Sequence, residues 1–475
     1  MLPPDPISQY ARETPRATAI HFNTDAWTWA DLEAQARKAG TYLDREVPPG
    51  ACVLLQGWND PRFIILREAI HRTGRTYAAL SPQASETEVR HVLRLTDAAL
   101  FLRADGIADH GVTAETWATP FDAPGLEVAH RRQDARTLLL TSGTTGLPKA
   151  CVRPVAPDLE RMTSMVRTFG LRSDQIHLTA TPLYHSGPTI FQRTQMALGG
   201  TTVLHPRFDA AAVWAEVAAG QAHTAFFVPT HYHRLLRDDP GVSAEGIETW
   251  WMAGAPAAAA LKERVIARIG PGKLWEFLGS SETGTVTVMA PDQHLRRRDS
   301  VGRPPPGVEL RILSESGTPC APGEVGLVYV RSAMLMSGYL GPDSDQAVWN
   351  DGFLSVGDLG YVDEAGYLFL ADRRTDLIIS GGVNVYPAEV EAALEAFPGV
   401  RQACVVGEPD EEWGARVVAV IVADAAVRDE ELSAFLREEL APAKRPRRIE
   451  RWAELPHNAI GKPLRSEVRK RIRGS

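Results

Sequence analysis

The run from Leu138 to Ala150, LLLTSGTTGLPKA, gathers hydroxyl and glycine residues between Thr141 and Gly146 and sets Lys149 three positions further on. Gly143 and Gly146 let backbone N–H groups turn towards an anion, and the hydroxyls of Thr141, Ser142, Thr144 and Thr145 add donors. With a lysine beside them, these are the parts of a phosphate cradle. A Walker loop needs glycine before its lysine and serine or threonine after it, but Pro148 and Ala150 stand there. Proline removes an amide donor and alanine cannot ligate magnesium, so the chemistry is not that of an ordinary P-loop. Further along, Asp358 can accept hydrogen bonds from both vicinal hydroxyls of a ribose, as acidic residues do in dinucleotide sites. Taken one at a time these residues also have plainer readings: a polar surface loop around Ser142, a solvated acid at Glu282 and a turn residue at Asp358. In the same way Arg373 reads as a surface ion pair, His185 as a satisfied histidine, and Lys462 as one more lysine in a basic C-terminal segment, RSEVRKRIRGS, that reads as a solvated tail.

Several stretches follow the first in a fixed order. They are TPLYHSGP (Thr181 to Pro188), MAGAP (Met252 to Pro256), LGSSETG (Leu278 to Gly284), SVGDLGYVDEAGYLFLADR (Ser355 to Arg373), DLIISGGVNVYPAEVE (Asp376 to Glu391) and LPHNAIGKPLR (Leu455 to Arg465). With TSGTTGLPK they resemble, in the same order and over nearly the whole chain, the motifs of AMP-forming acyl-CoA synthetases, adenylation domains and luciferases. SGGVNVYPAEVE and GKPLR are similar to the CoA ligases in particular.

The resemblance implies a two-step reaction using ATP, Mg²⁺ and CoA: a carboxylate and ATP give acyl-AMP and pyrophosphate, and the CoA thiol then displaces AMP. A carboxylate approaching the α-phosphorus meets an anionic nucleotide, so cations and fixed dipoles must offset the repulsion. By resemblance Lys149 and the loop Ser142, Gly143, Thr144, Thr145 and Gly146 hold the β- and γ-phosphates. Glu282, with a hydroxyl such as Thr141, holds Mg²⁺, and Ser281 bonds the α-phosphate. The nucleotide site further takes in Gly254, Ala255, Pro256, Leu278 and Gly279, with Asp358 on the ribose and Arg373 as its partner. Lys462 contacts the carboxylate and α-phosphate during adenylation, and Ser380, Gly381 and Gly382 then line the pantetheine tunnel. His185 sits at the floor of the acyl pocket, whose other members are Phe191, Phe227, Gly254 and Gly279. That composition suits an apolar fatty, aromatic or bulky-ring acid. Acetylation of Lys462 removes its charge, which makes a lysine acetyltransferase an expected partner.

Three positions depart from the resembled pattern, the slightest being Ala150, which replaces a common glycine after Lys149 outside the donor set. Leu278 stands where an aromatic residue usually stacks on adenine, which forfeits a stacking contribution. Thr375 stands where the hinge often has lysine or aspartate. Three other readings stay open: an acyl-AMP ligase that loads a carrier protein or an amine, an α/β-hydrolase using Ser281 and His185, and a degenerate ATP-binding module. GSSET lacks the second glycine of a nucleophile elbow, which weighs against the hydrolase.

The elements that must position these residues read as α/β. Short apolar runs alternate with alanine-rich amphipathic segments, as in TTVLHP followed by DAAAVWAEVAAG, where Asp209 is placed to cap a helix. After ADRRTD the texture changes to helix, strand, strand and helix within about a hundred residues. The expected architecture is a large multi-subdomain N-terminal α/β domain over 1–372, a hinge at 373–376 and a small mobile α+β domain over 377–475. At 475 residues the chain exceeds one ordinary core. Its net charge of −8 gives no basic footprint for nucleic acid. The N-terminus shows no apolar core followed by a cleavage site, and no apolar run approaches membrane-spanning length, so a cytoplasmic protein is expected. Cys52, Cys151, Cys320 and Cys404 are widely spaced and read as buried structural thiols.

Overall fold

Strands Cys52–Gln56 and Thr76–Leu80 are buried at every residue, the mark of a parallel sheet covered on both faces. In the computed structural model they lie at the centre of a seven-stranded sheet. The structure describes residues 5–107, 112–142, 148–154, 158–255, 257–314, 316–341, 348–373, 376, 378–380, 383–410, 414–440, 444–457 and 463–474. The sheet runs in the order Gly338–Tyr339, Pro148–Pro154, Arg136–Ser142, Thr76–Leu80, Cys52–Gln56, Ala98–Arg103 and Glu115–Thr116. A second sheet of eight strands carries Ile176–Thr179, Thr201–Leu204, Thr224–Phe227, Thr249–Met252 and Leu274–Ser280, all parallel, with antiparallel Gly284–Met289 on one edge.

Two helices join these sheets. Pro61–Arg72 starts where Asp60 accepts a hydrogen bond from the Arg62 amide at 2.8 Å and proline occupies the first turn. Ser186–Ala197 follows His185, and from Ile190 onwards it is buried throughout. Both carry polar side chains into the interior, and Arg67 on the first donates to Gln192 on the second at 3.0 Å. Helix Ala210–Ala218 begins at Asp209, whose carboxylate takes the Ala212 amide at 2.8 Å, as its sequence suggests.

A six-stranded sheet follows, containing Val308–Leu313, Gly326–Ser332, Phe353–Ser355, Asp358–Val362 and Leu368–Arg373. From Ile378 onwards the strands belong to a fourth sheet, built on the long pair Val400–Asp410 and Gly414–Ala423. Helices Pro387–Ala396 and Asp429–Glu439 give this part its α+β texture.

The C-terminal segment is not a solvated tail. Residues Arg465–Gly474 form a helix that packs Val468 and Ile472 against Cys404, Val406, Val418 and Val420. Its basic residues face acids: Arg465 meets Glu391 at 2.6 Å, and Arg469 meets Asp376 at 2.9 Å. Apolar residues four apart gave the strip that the charges concealed. Cys52, Cys151 and Cys404 are buried free thiols, whereas Cys320 is only half-buried, contrary to expectation. Among the described residues no helix is long and apolar enough to cross a membrane.

Candidate active site

The phosphate-type run is the tip of a β-hairpin. Strands Arg136–Ser142 and Pro148–Pro154 pair antiparallel, with Thr141 opposite Lys149 and Ser142 opposite Pro148. The chain therefore turns back into a strand, where a Walker loop would enter a helix. Gly143, Thr144, Thr145 and Gly146 lie outside the described residues. Lys149 is 8% exposed, and its Nζ stands 5.3 Å from the centre of the Tyr339 ring. The Tyr339 hydroxyl donates to Glu282 Oε1 at 2.9 Å. Tyr339 reaches this place because Gly338–Tyr339 adds a third strand to the hairpin, opposite Val152 and Cys151. The Cys151 thiol lies among the same groups: burial, then the Glu282 charge, push its pKa far up, and Thr141 also bonds to it. A cation, a carboxylate and a threonine hydroxyl are thus gathered beside the base of the loop.

Glu282 is held by the backbone around it. Ser280 Oγ accepts from the amides of Glu282 and Thr283 at 3.2 and 3.1 Å, and the Glu282 carbonyl accepts from the Met336 amide at 2.8 Å. Gly279 sits at a register shift between strands Leu274–Ser280 and Gly284–Met289, where a Cβ would come within 2.5 Å of the Gly284 carbonyl oxygen. Only glycine permits that approach. Arg153 donates to the carbonyls of Ser281 at 2.7 Å and Met334 at 2.6 Å, tying the turn to the hairpin. Ser281 Oγ is 3.4 Å from Ser186 Oγ. Leu278 packs against the apolar cluster of Val286, Val308 and Leu368. Gly254 adopts φ of +88° after strand Thr249–Met252, with half-buried Ala255 beside it; Pro256 lies outside the described residues.

Asp358 and Arg373 are register partners on neighbouring antiparallel strands, so pairing alone brings them together. Ser380 is buried and pairs with Val383 and with Gly414. Gly381, Gly382, Thr375 and Lys462 lie outside the described residues. The flanks of Lys462 are fixed, since His457 bridges to Pro463 and the Leu464 amide donates to the Pro456 carbonyl at 2.8 Å.

His185 caps the start of helix Ser186–Ala197, with its ring 4.3 Å from that of Tyr184. Its side chain is half-buried but Nε2 is wholly so and has no hydrogen-bond partner. Burial pushes its pKa down to about 3, which leaves a neutral imidazole. Phe191 stacks on Trp251 at 4.1 Å and lies 5.6 Å from Phe226. The alternation of strand Thr224–Phe227 puts Phe226 on this face. Phe227 points the other way, into the core with Tyr232 and Trp250, so Phe226 and not Phe227 faces Phe191. Tyr339 and Arg153 were not singled out from sequence. Gly338, with φ of +146°, is the sole local signal beside the tyrosine.

A family model of AMP-binding enzymes matches residues 7–340, and one of the AMP-binding enzyme C-terminal domain matches 389–462. The chain is 32% identical to a feruloyl-CoA synthase of an Amycolatopsis species over 490 residues, covering 97% of each. It superposes on o-succinylbenzoate CoA synthetase from Bacillus subtilis in complex with its acyl-adenylate intermediate. There the TM-score is 0.90 and the identity 28%, over 98% of both chains. That synthetase is also known in complex with ATP and a magnesium ion. An amide bond synthetase from Marinactinospora thermotolerans is similar as well, at 30% identity and a TM-score of 0.88, over 98% of this chain and 99% of the other.

Proposed function

Since the chain belongs to the AMP-binding enzyme family and is an AMP-forming acid–thiol ligase, we propose that its site activates an aromatic carboxylate. The observation that carries this reading is the convergence of Lys149, Tyr339 and Glu282 at the base of the hairpin, with Asp358 and Arg373 paired on adjacent strands. The aromatic preference is supported by the feruloyl and o-succinylbenzoate relatives.

In this reading Lys149 and the hairpin tip hold the β- and γ-phosphates. The carboxylate of Glu282 and the hydroxyl of Thr141 are hard oxygen donors gathered around Cys151, a set that fits magnesium. Magnesium bound there would offset charge on the phosphate oxygens. Tyr339 fixes one Glu282 oxygen, and the Cys151 thiol also bonds to the carboxylate. Ser281 donates to the α-phosphate, Asp358 holds the ribose, and Lys462 brings positive charge to the carboxylate as it attacks the α-phosphorus. Pyrophosphate leaves. The neutral His185 ring can orient the acid but adds no charge. The segment 377–475 then turns about the hinge at 373–376, withdrawing Lys462 and bringing Ser380, Gly381 and Gly382 to the CoA thiol. The thiol sulfur bonds to the acyl carbon and AMP departs. Lys462 is also the residue at which acetylation would switch adenylation off, and a cytoplasmic setting supplies ATP and CoA.

A second reading, in which an amine replaces CoA as acceptor, is favoured by the similarity to an amide bond synthetase. The test supplies ATP, Mg²⁺ and an aromatic acid with either CoA or a primary amine, and weighs the product by mass spectrometry. A thioester formed with CoA is expected. Amide formed with CoA ignored moves the conclusion to the second reading, and neither product with any acid defeats both.

A further inference from the structure

Strand Pro148–Pro154 alternates, so Lys149, Cys151 and Arg153 share one face, opposite Thr141, Leu139 and Thr137 on the paired strand. The other face turns Ala150 and Val152 into an apolar cluster with Leu138 and Leu140. Lys149 and Arg153 are thus two cations in one row, 8% and 6% exposed, with the Cys151 thiol between them. A buried cation is costly unless its hydrogen-bonding groups are met. Arg153 donates from Nε to the Ser281 carbonyl at 2.7 Å and from Nη1 to the Met334 carbonyl at 2.6 Å.

The two acceptors belong to different segments. Ser281 lies in the turn between strands Leu274–Ser280 and Gly284–Met289, and Met334 begins a run that lies along the hairpin as far as Leu340. That run is laced to the strand by the Ser337 amide, which donates to the Val152 carbonyl at 2.9 Å, and by the Leu340 amide, which donates to the Ala150 carbonyl at 2.8 Å. It reaches the turn through the Met336 amide and the Tyr339 hydroxyl, both of which donate to Glu282. Hairpin, turn and run therefore meet at the Arg153 guanidinium, with Ser281 and Glu282 at the junction. A guanidinium presents its donors in a fixed planar fork, so one side chain serves both carbonyls at once, which a lysine ammonium does poorly. Its charge is felt in the site as well: at the Cys151 thiol it acts against the charge of Glu282.

We propose that Arg153 is a positioning residue for adenylation: by tying the turn to the strand that carries Lys149, it holds Ser281 and Glu282 where they meet the α-phosphate and magnesium. The inference rests on the reading of the site as one that uses ATP and magnesium. Its effect passes through the backbone of Ser281 and the run from Met334. Without the guanidinium two carbonyls lose a charged donor, and the turn is free to shift relative to Lys149.

The test measures pyrophosphate release over a grid of ATP and Mg²⁺ concentrations, with the acid saturating and the temperature below every variant's thermal midpoint. Arg153→Met should lower kcat/KM for ATP about 10- to 100-fold, the range of one hydrogen bond from a charged group, and raise the Mg²⁺ concentration at half-maximal rate. Arg153→Lys, which keeps the charge and a donor for one carbonyl, should restore part of both. A residue that only stabilised the fold would lower the thermal midpoint and leave the Mg²⁺ requirement of the folded enzyme where it was, so that result overturns the proposal. If Arg153→Met does not fold, Arg153→Lys alone is read against the wild type, with a smaller shift in the same direction expected and none overturning the proposal. Calorimetric titration of the same proteins with Mg²⁺ and α,β-methylene ATP needs no acid. Weaker binding by the variants supports the role of Arg153 even if no acid makes the wild type release pyrophosphate, a result that would count against the adenylation reading alone. Equal binding beside normal pyrophosphate release leaves adenylation standing and overturns the role of Arg153.

Discussion

Replacing Tyr339 by phenylalanine removes one hydroxyl and leaves the ring that faces Lys149. That hydroxyl donates to Glu282 Oε1 at 2.9 Å, and Glu282 is 9% exposed, so water replaces it poorly. A hydrogen bond to a charged group contributes about 1.5–3 kcal/mol, and each ~1.4 kcal/mol is a factor of ten in rate. If the hydroxyl serves only to aim the carboxylate, kcat/KM for ATP falls about 10- to 100-fold, and the magnesium requirement rises with it. Tyr339→Leu also removes the ring face 5.3 Å from Lys149 Nζ. That contact adds about 0.5–2 kcal/mol, so the leucine variant should be slower again by about 2- to 30-fold. The assay is pyrophosphate release over a grid of ATP and Mg²⁺ concentrations, with thermal midpoints to confirm folding. A phenylalanine variant that matches the wild type, or a leucine variant no worse than phenylalanine, would refute the role given to Tyr339.

Gly279→Ala should lower stability by about 1–3 kcal/mol and depress adenylation, since its Cβ would meet the Gly284 carbonyl oxygen at 2.5 Å; an unchanged melting temperature would contradict this. Lys462→Ala, or acetylation of Lys462, should abolish pyrophosphate release while a supplied acyl-adenylate is still converted to thioester, and equal loss of both steps would refute the division of labour. Stability should fall on acidification: burial pushes His177 and His231 down to about 3 and His294 to about 4, against an ordinary value of 6.5. Because the folded chain holds these rings neutral, protons favour the unfolded chain below pH 6.5. Each adds about 1.4 kcal/mol per pH unit until its folded pKa is reached. Thermal midpoints between pH 7 and 5 test it, with a shallower slope expected for His177→Asn and a flat or rising profile standing against it.

What was legible in the sequence were contacts made by neighbours in the chain or by residue type. The hairpin residues Thr141 and Lys149, the Asp209 cap and the helix–strand–strand–helix run after Ile378 all announce themselves locally. Tyr339 did not, because its part depends on a strand pairing with Cys151 almost two hundred residues away. Arg67, Glu68 and His71 carry no such local signal: their helix is buried from Phe63 to Arg72, and their partners come from Arg132, Thr137 and Gln192. Phe226 and Phe227 are both apolar strand residues, and which of them faces Phe191 is settled by register, which a strand's own composition does not carry.

The direct measurement is isotope exchange between pyrophosphate and ATP in the absence of CoA. Exchange that requires both an aromatic carboxylate and Mg²⁺, and that is lost in Asp358→Ala, is the result predicted for acyl-adenylate formation at this site. Exchange that ignores the acid, or release of ADP in place of AMP when turnover is complete, would contradict it.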